Sequence, residues 1–294
     1  MIDMMYSINL SAIFIHPIHK FSTMRKFTFI AAILALFFYS CQNHEKHERD
    51  DDPNHFVEQE EAKPDTYFHY SIWHAFVNKV FDADLKVSTL KANGDIGLGS
   101  FDFLDGEMVM LDGIPYRIRE DGEITVGADD DEIVYANAAF FNQDGSFPIN
   151  ESVDYDKFRT AINAELPSLN LFYAFKVHAT FKTLKLGGLN KQEKPFDDGL
   201  DILIPNRPVF EGENIKGTMV GFFCPQFIGD INAAGYHFHF ISDDLKMGGH
   251  VMEFECQETL EVNYDEMNNY HFFLPDNEDY RNVRLDKQFQ YGKN

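Results

Sequence analysis

Three cysteines occur in the 294 residues, Cys41, Cys224 and Cys256, and no two of them form a Cys-x-x-Cys pair. A thiolate zinc site of the finger type is therefore not expected. The chain also lacks a Gly-rich phosphate loop, a Gly-x-Ser-x-Gly nucleophile elbow and any internal repeat. P-loop chemistry, α/β-hydrolase chemistry and repeat architectures drop out with them. Positive charge is scarce: 25 Lys and Arg stand against 48 Asp and Glu, a formal net charge of −23. A surface that acidic repels phosphate backbones and excludes nucleic acid as a partner. It does not exclude a small anionic substrate, because a bound metal outweighs a diffuse negative surface at short range. The acidic run 129–132 lacks the spaced ligands and glycine of an EF-hand and reads as a solvated loop.

Apolar residues make up 44% of the chain, with 30 Phe among them, enough for a globular, sheet-rich body with a real core. The first 40 residues read as a targeting segment. Met24-Arg-Lys gives a basic start, the apolar run 27–39 is too short to span a bilayer comfortably, and Ser40-Cys41 follows. This pattern predicts a bacterial lipoprotein signal, with the true start at Met24 and a lipid on Cys41; a plain cleaved signal and an uncleaved anchor are the alternatives. The expected location is the cell envelope, lipid-anchored, periplasmic or surface-exposed. Residues 41–63 are polar and charged and read as a disordered tether. Cys224 and Cys256 then remain, as one disulfide or as two buried thiols.

The folded body is expected from residue 64, in two subdomains, 64–200 and 201–294, divided at the Pro-rich loop 192–208. Helical spacing covers 71–81, a second short helix 85–92, and a third 154–166, ended by Pro167. Strands broken by Asp-Gly turns fill 94–118, a hairpin crosses 120–123, and long alternating strands follow at 133–141 and 171–185. The fold class is α+β with a mixed, sheet-rich core.

Two places carry chemistry. In Gly235-Tyr-His-Phe-His-Phe240 the histidines 237 and 239 share one strand face and the aromatic residues the other. A turn containing Gly248 and Gly249 leads into His250 on the returning strand. Three neutral imidazoles on a rigid hairpin suit a catalytic Zn²⁺ with an open position; three polar residues on a wet sheet face is the alternative. Glu107 is the second place. It shares a strand face with Val109 and Leu111, where an acid costs free energy unless something compensates, or unless it reaches water at the strand end.

These motifs resemble the alpha-acetolactate decarboxylase family. The likeness runs through Gly94-Asp-Ile-Gly-Leu-Gly-Ser-Phe101, Leu104-Asp-Gly-Glu-Met-Val-Met-Leu-Asp-Gly113, Gln192-Glu-Lys-Pro195, Gly217-Thr-Met-Val-Gly-Phe-Phe-Cys-Pro225, Gly229-Asp-Ile-Asn232 and the histidine hairpin. The blocks stand in family order from about residue 65 to 285. The resemblance implies a two-subdomain fold with a metal site on a hairpin. It also implies a homodimer and a Zn²⁺ held by His237, His239 and His250. It further implies decarboxylation of 2-acetolactate to acetoin, the metal serving as electron sink, with Glu107 as the active-site acid.

Two departures from the family pattern stand out. The family places an arginine a few residues before Gln-x-Lys-Pro; residues 186–191 hold none, and Lys191, or Lys185, is left as a partial substitute in substrate binding. The glycines 187 and 188 would then leave room for a bulkier substrate. The family also carries a glutamate near its C-terminus, and no acid follows Asp286. The readings are therefore an exported acetolactate decarboxylase, weakened by the missing arginine, or a zinc-binding relative acting on or binding another 2-hydroxy-3-keto acid.

Overall fold

A computed structural model describes residues 65–287 of the chain. The targeting segment, Cys41 and the tether lie outside the described residues, as do residues 288–294. In chain order the elements are β1 (Thr66–Tyr70), α1 (Trp73–Val77), β2 (Leu85–Lys86), α2 (Val87–Lys91), β3 (Ile96–Phe101), β4 (Glu107–Leu111), β5 (Ile114–Ile118), β6 (Ile124–Val126) and β7 (Glu132–Ala139). There follow β8 (Gly145–Ile149), β9 (Val153–Asp154), α3 (Tyr155–Glu165), β10 (Phe172–Gly187), α4 (Leu200–Leu203), β11 (Val209–Cys224), β12 (Gly235–Ser242), β13 (Gly248–Cys256), β14 (Leu260–Met267), β15 (Asn269–Phe273) and α5 (Glu278–Asn282).

The strands form two sheets. The first runs β15-β1-β7-β3-β4-β5-β6 with β2 on β7, and only β1 and β15 pair in parallel. The second runs β8-β14-β10-β11-β12-β13-β9, and the far end of β10 also pairs with β13. That extra pairing joins β10, β11, β12 and β13 in a closed ring of neighbours, which fixes their register from both sides. The division between sheets is not the division of the sequence at 200/201. Strands β8, β9 and β10 precede that point yet belong with β11–β14, and β15 from the far end of the chain returns to pair with β1. The physical reason is β10 and β11, two 16-residue strands paired along almost their full length, which tie the two sequence halves into one sheet across the loop 192–208.

Side-chain alternation on the strands makes the core. On β12 the rings of Phe238 and Phe240 face a cluster with Phe175, Phe181 and Phe254, capped by Phe158 and Ile162 of α3. The opposite face of the same sheet presents Val220, Phe222 and Ile241 to Leu98, Val109 and Ile118 of the first sheet. Each buried Phe of this kind contributes roughly 1.5–3 kcal/mol. Helix α3 matches its expected span, with Asp154 accepting from Lys157 N at 2.8 Å as N-cap. Helix α1 is shorter than its apolar spacing predicts. Lys79 turns left-handed at φ 70°, and Val80 and Phe81 are buried beyond the helix instead. Cys224 and Cys256 are both free and buried, so the thiol alternative holds.

Candidate active site

The site lies between the sheets, where the second core is interrupted by polar groups. His237 and His239 point from β12 into this layer because their neighbours Tyr236, Phe238 and Phe240 take the aromatic side. His250 is the direct cross-strand partner of His239. It can be so because Gly249 adopts φ 138°; a Cβ there would sit 2.7 Å from the Gly187 carbonyl oxygen. From the first sheet, β4 sends Glu107 towards the same point, on the face it shares with Val109.

One ligand atom from each of the three imidazoles falls within 4.8 Å of the others. His237 Nε2 faces His250 Nδ1 at 3.0 Å, and Glu107 Oε2 lies 3.7 Å from His239 Nε2. Tetrahedral zinc with bonds of about 2.0–2.1 Å separates its nitrogen ligands by roughly 3.3 Å, so small movements would bring three lone pairs onto one ion. The donor set fits a metal in a second respect. His239 Nδ1–H donates to the Met108 carbonyl at 2.8 Å, which leaves Nε2 as the lone-pair nitrogen and fixes the ring's orientation. His237 Nδ1 is buried with no hydrogen-bond partner among the described residues. The cluster is the only group of three or more His, Cys, Asp or Glu among the described residues with this convergence.

Burial sets the charge state. It lowers His237 to about 4 and holds His239 and His250 well below the ordinary histidine value, with Arg207 pushing in the same direction on all three. All three rings are therefore neutral near pH 7, as metal ligands must be. Glu107, 5% exposed, is pushed up to about 8 by burial, against the opposing pull of Arg207.

The structure places Lys191 elsewhere. Its ammonium lies 3.6 Å from Asp105 and its backbone N–H donates to Glu120, in a charged cluster that also holds Arg117 and Arg119. Lys185 pairs with Glu253 at 3.0 Å. The cation that does act on the site is Arg207, which the sequence reading passed over. It follows α4, and its guanidinium fills the space in front of Gly187: a Cβ on Gly187 would sit 2.7 Å from Cζ, Nε and Nη1 of Arg207. The expected empty room at Gly187 and Gly188 is therefore occupied, by Arg207 at the first and by Phe210 and Pro208 at the second. Nothing in the spacing of Ile204-Pro-Asn-Arg-Pro208 marks this arginine; the Gly187-Gly188 pair is the one trace of it in the sequence.

Known proteins resemble this chain along most of its folded body. Residues 67–287 match the family described as alpha-acetolactate decarboxylase. The alpha-acetolactate decarboxylase of Methanosarcina mazei is 35% identical over 226 residues, 77% of this chain and 78% of that protein. That of Bacillus licheniformis is 33% identical over 223 residues, 76% of this chain and 87% of that protein. The crystal structure of alpha-acetolactate decarboxylase from Bacillus subtilis strain 168 superposes with a TM-score of 0.73 at 33% identity, covering 76% of this chain and 94% of that one.

Proposed function

The chain belongs to the alpha-acetolactate decarboxylase family, and we propose that it converts 2-acetolactate to acetoin and CO₂ with a zinc ion held by His237, His239 and His250. The observation that carries this reading is the convergence of three neutral imidazoles and one buried carboxyl on a single point between the sheets. Loss of CO₂ from a β-keto acid leaves an electron pair on carbon, and the catalyst must accept that charge and then deliver a proton. When bound, the metal supplies a Lewis acid beside the keto and hydroxyl oxygens. Glu107 supplies the proton. Its carboxyl, raised to about 8 by burial in the metal-free protein, stands 3.7 Å from His239 Nε2, and it approaches from one side only, as stereospecific protonation requires. The Met108 carbonyl keeps His239 in the tautomer that leaves Nε2 available. The apolar wall of Val109, Ile118, Val220 and Phe222 limits water, so the bound anion meets protein dipoles rather than bulk solvent.

The test is metal analysis and turnover on protein purified without chelator. About one zinc per chain and acetoin release from 2-acetolactate are expected. In His239→Ala the metal should be lost and activity should fall by more than the 10–100-fold typical of losing an outer partner of a ligand. Protein free of transition metal, or full turnover after His239→Ala, would refute the assignment.

A further inference from the structure

We propose that Arg207 is the group that receives the substrate's carboxylate, reaching the histidine centre from the loop after α4 through the space that Gly187 leaves open. The inference rests on the acetolactate reading for the identity of the anion, and on geometry for the anchor. Gly187 is the cross-strand partner of His250 on one side and of Val209 on the other. A side chain at 187 on the same face would have its Cβ about 4.5–5.5 Å from that of His250. The Arg207 guanidinium occupies that very place. A cation whose backbone is well away in sequence is thus inserted beside His250, where the strand itself carries no side chain.

The segment that carries it is pinned at both ends. Arg207 N donates to Ile204 O at 3.3 Å, and Gly188 N donates to Pro208 O at 2.8 Å. Phe210 packs against Gly188. The head group is therefore presented by a fixed turn rather than by a free arm. Its field reaches Glu107 and all three histidines. A guanidinium offers two parallel N–H donors matched to a carboxylate and stays charged at every relevant pH. In a chain of net charge −23, an anionic substrate needs such a local cation. Glycine at 187 is then a requirement of the arginine at 207: even a methyl group would push the guanidinium aside.

The experiment measures binding rather than turnover, on metal-loaded protein with metal content checked for every variant. Two ligands divide the substrate between them. 2-Hydroxyisobutyrate keeps the hydroxyl and the carboxylate but has no ketone and cannot decarboxylate; acetoin keeps the hydroxyl and ketone but has no carboxylate. In Arg207→Ala, calorimetry should show 2-hydroxyisobutyrate weakened by about 10–150-fold, the range for one charge-assisted contact, with acetoin changed by less than about twofold. Arg207→Lys should recover part of the loss. Gly187→Ala should lose affinity for the acid in the same selective way, and the double variant should lose little more than either single one, because both changes remove one contact. If Arg207→Ala fails to fold or to load metal, Gly187→Ala, with the arginine intact, carries the same comparison. Unchanged affinity for the acid, or equal losses for acid and acetoin, would overturn the anchor; the latter is the result expected of an arginine that only neutralises Glu107. The two readings separate cleanly. Arg207-dependent binding of the acid without turnover of acetolactate leaves the anchor standing and removes the activity, whereas turnover with binding indifferent to Arg207 does the reverse.

Discussion

The histidine centre and the cluster around Asn232 are both polar groups shut in where the two sheets meet, and they differ in where their hydrogen-bonding atoms point. Asn232 closes a network. Its Oδ1 accepts from Tyr135 Oη–H and from Ala233 N, and its Nδ2 donates to Asn137 Oδ1 at 2.8 Å and to the hydroxyls of Tyr67 and Tyr270 at 3.1 and 3.3 Å. Tyr270 in turn bonds His69 Nδ1 at 2.6 Å, and Cys224 contributes a thiol to Tyr67. The bonds turn inward, so the group joins β1, β7, β15 and the loop before β12, and His69 Nε2 is the atom it leaves without a partner among the described residues. In the histidine centre the Met108 carbonyl holds His239 from behind, while one ring nitrogen of each histidine faces a common point. The first cluster spends its polarity on cohesion. The second aims one ring nitrogen from each of three imidazoles at a single point, and such convergence separates a candidate site from a structural network better than burial or residue type does.

The largest effect that sharpens this contrast is expected at Glu107. Glu107→Gln should retain metal and slow acetoin formation by about 10²–10⁴-fold, the range for losing a general acid. Its effect on folding should run the other way. Burial raises this carboxyl to about 8 in the folded protein. An acid raised on folding contributes stability below its unfolded value, near 4.5, and loses it as pH rises towards 8. At pH 7 the native carboxyl is therefore a burden of a few kcal/mol on the metal-free protein, which glutamine lifts. Chemical unfolding at pH 7 should show metal-free Glu107→Gln at least as stable as the parent. A clear loss of stability would move Glu107 from the functional cluster to the structural one.

Asn232→Leu should do the opposite, at a smaller size. The substitution keeps volume but orphans several buried partners at once. About 2–4 kcal/mol of stability should go, roughly 5–15 °C in melting temperature for a body of this length. Metal content and turnover at 25 °C should stay within a few-fold of the parent, because no atom of Asn232 bonds a site histidine. Loss of metal without loss of stability would dissolve the distinction between the clusters.

These residues also mark how far the sequence could be read. The hairpin histidines were legible because a strand's period of two puts 237 and 239 on one face, and a single turn returns 250 beside them; all the information lies within one contiguous stretch. Glu107 was legible as an acid out of place on an apolar face. The α+β class and most strands followed from alternation and Asp-Gly turns, and the family resemblance made them specific. Arg207 was not legible. Its role depends on β10 and β11 pairing so that Gly187 lies opposite Val209, a relation between distant positions that no local pattern encodes. The two-subdomain division at 200/201 rested on the loop 192–208 and could not see that the strands on either side of it pair. Asn232 sat inside a block noted for its resemblance, yet only the tertiary meeting of Tyr67, Tyr135 and Tyr270 gives it a task.

The smallest effect concerns His69, the one imidazole in the structural cluster. It is fully buried between Tyr135 and Phe272, and burial lowers it to about 3. Its Nε2 has no hydrogen-bond partner among the described residues, so a second proton on the ring would make a buried charge with nothing to share it at Nε2. The folded protein keeps the ring neutral while the unfolded chain takes up a proton near pH 6.5. Between those values the unfolded state binds more protons, and stability falls as pH falls. The contribution is whole above about 6.5, declines by at most about 1.4 kcal/mol per pH unit, and is gone below about 3. His69→Phe keeps the aromatic packing and removes the titration. It also removes the bond to Tyr270, costing about 1 kcal/mol at neutral pH. The variant should therefore be slightly less stable than the parent at pH 7.5. At pH 5, where the parent has lost about 2 kcal/mol through this ring, the variant should equal or exceed it. The site histidines titrate identically in both proteins, so they cancel from the difference. Urea unfolding of metal-free protein at the two pH values checks this. A difference that stays constant from pH 7.5 to 5 would mean that His69 can be protonated within the fold, and that the network around Asn232 is less closed than its hydrogen bonds indicate.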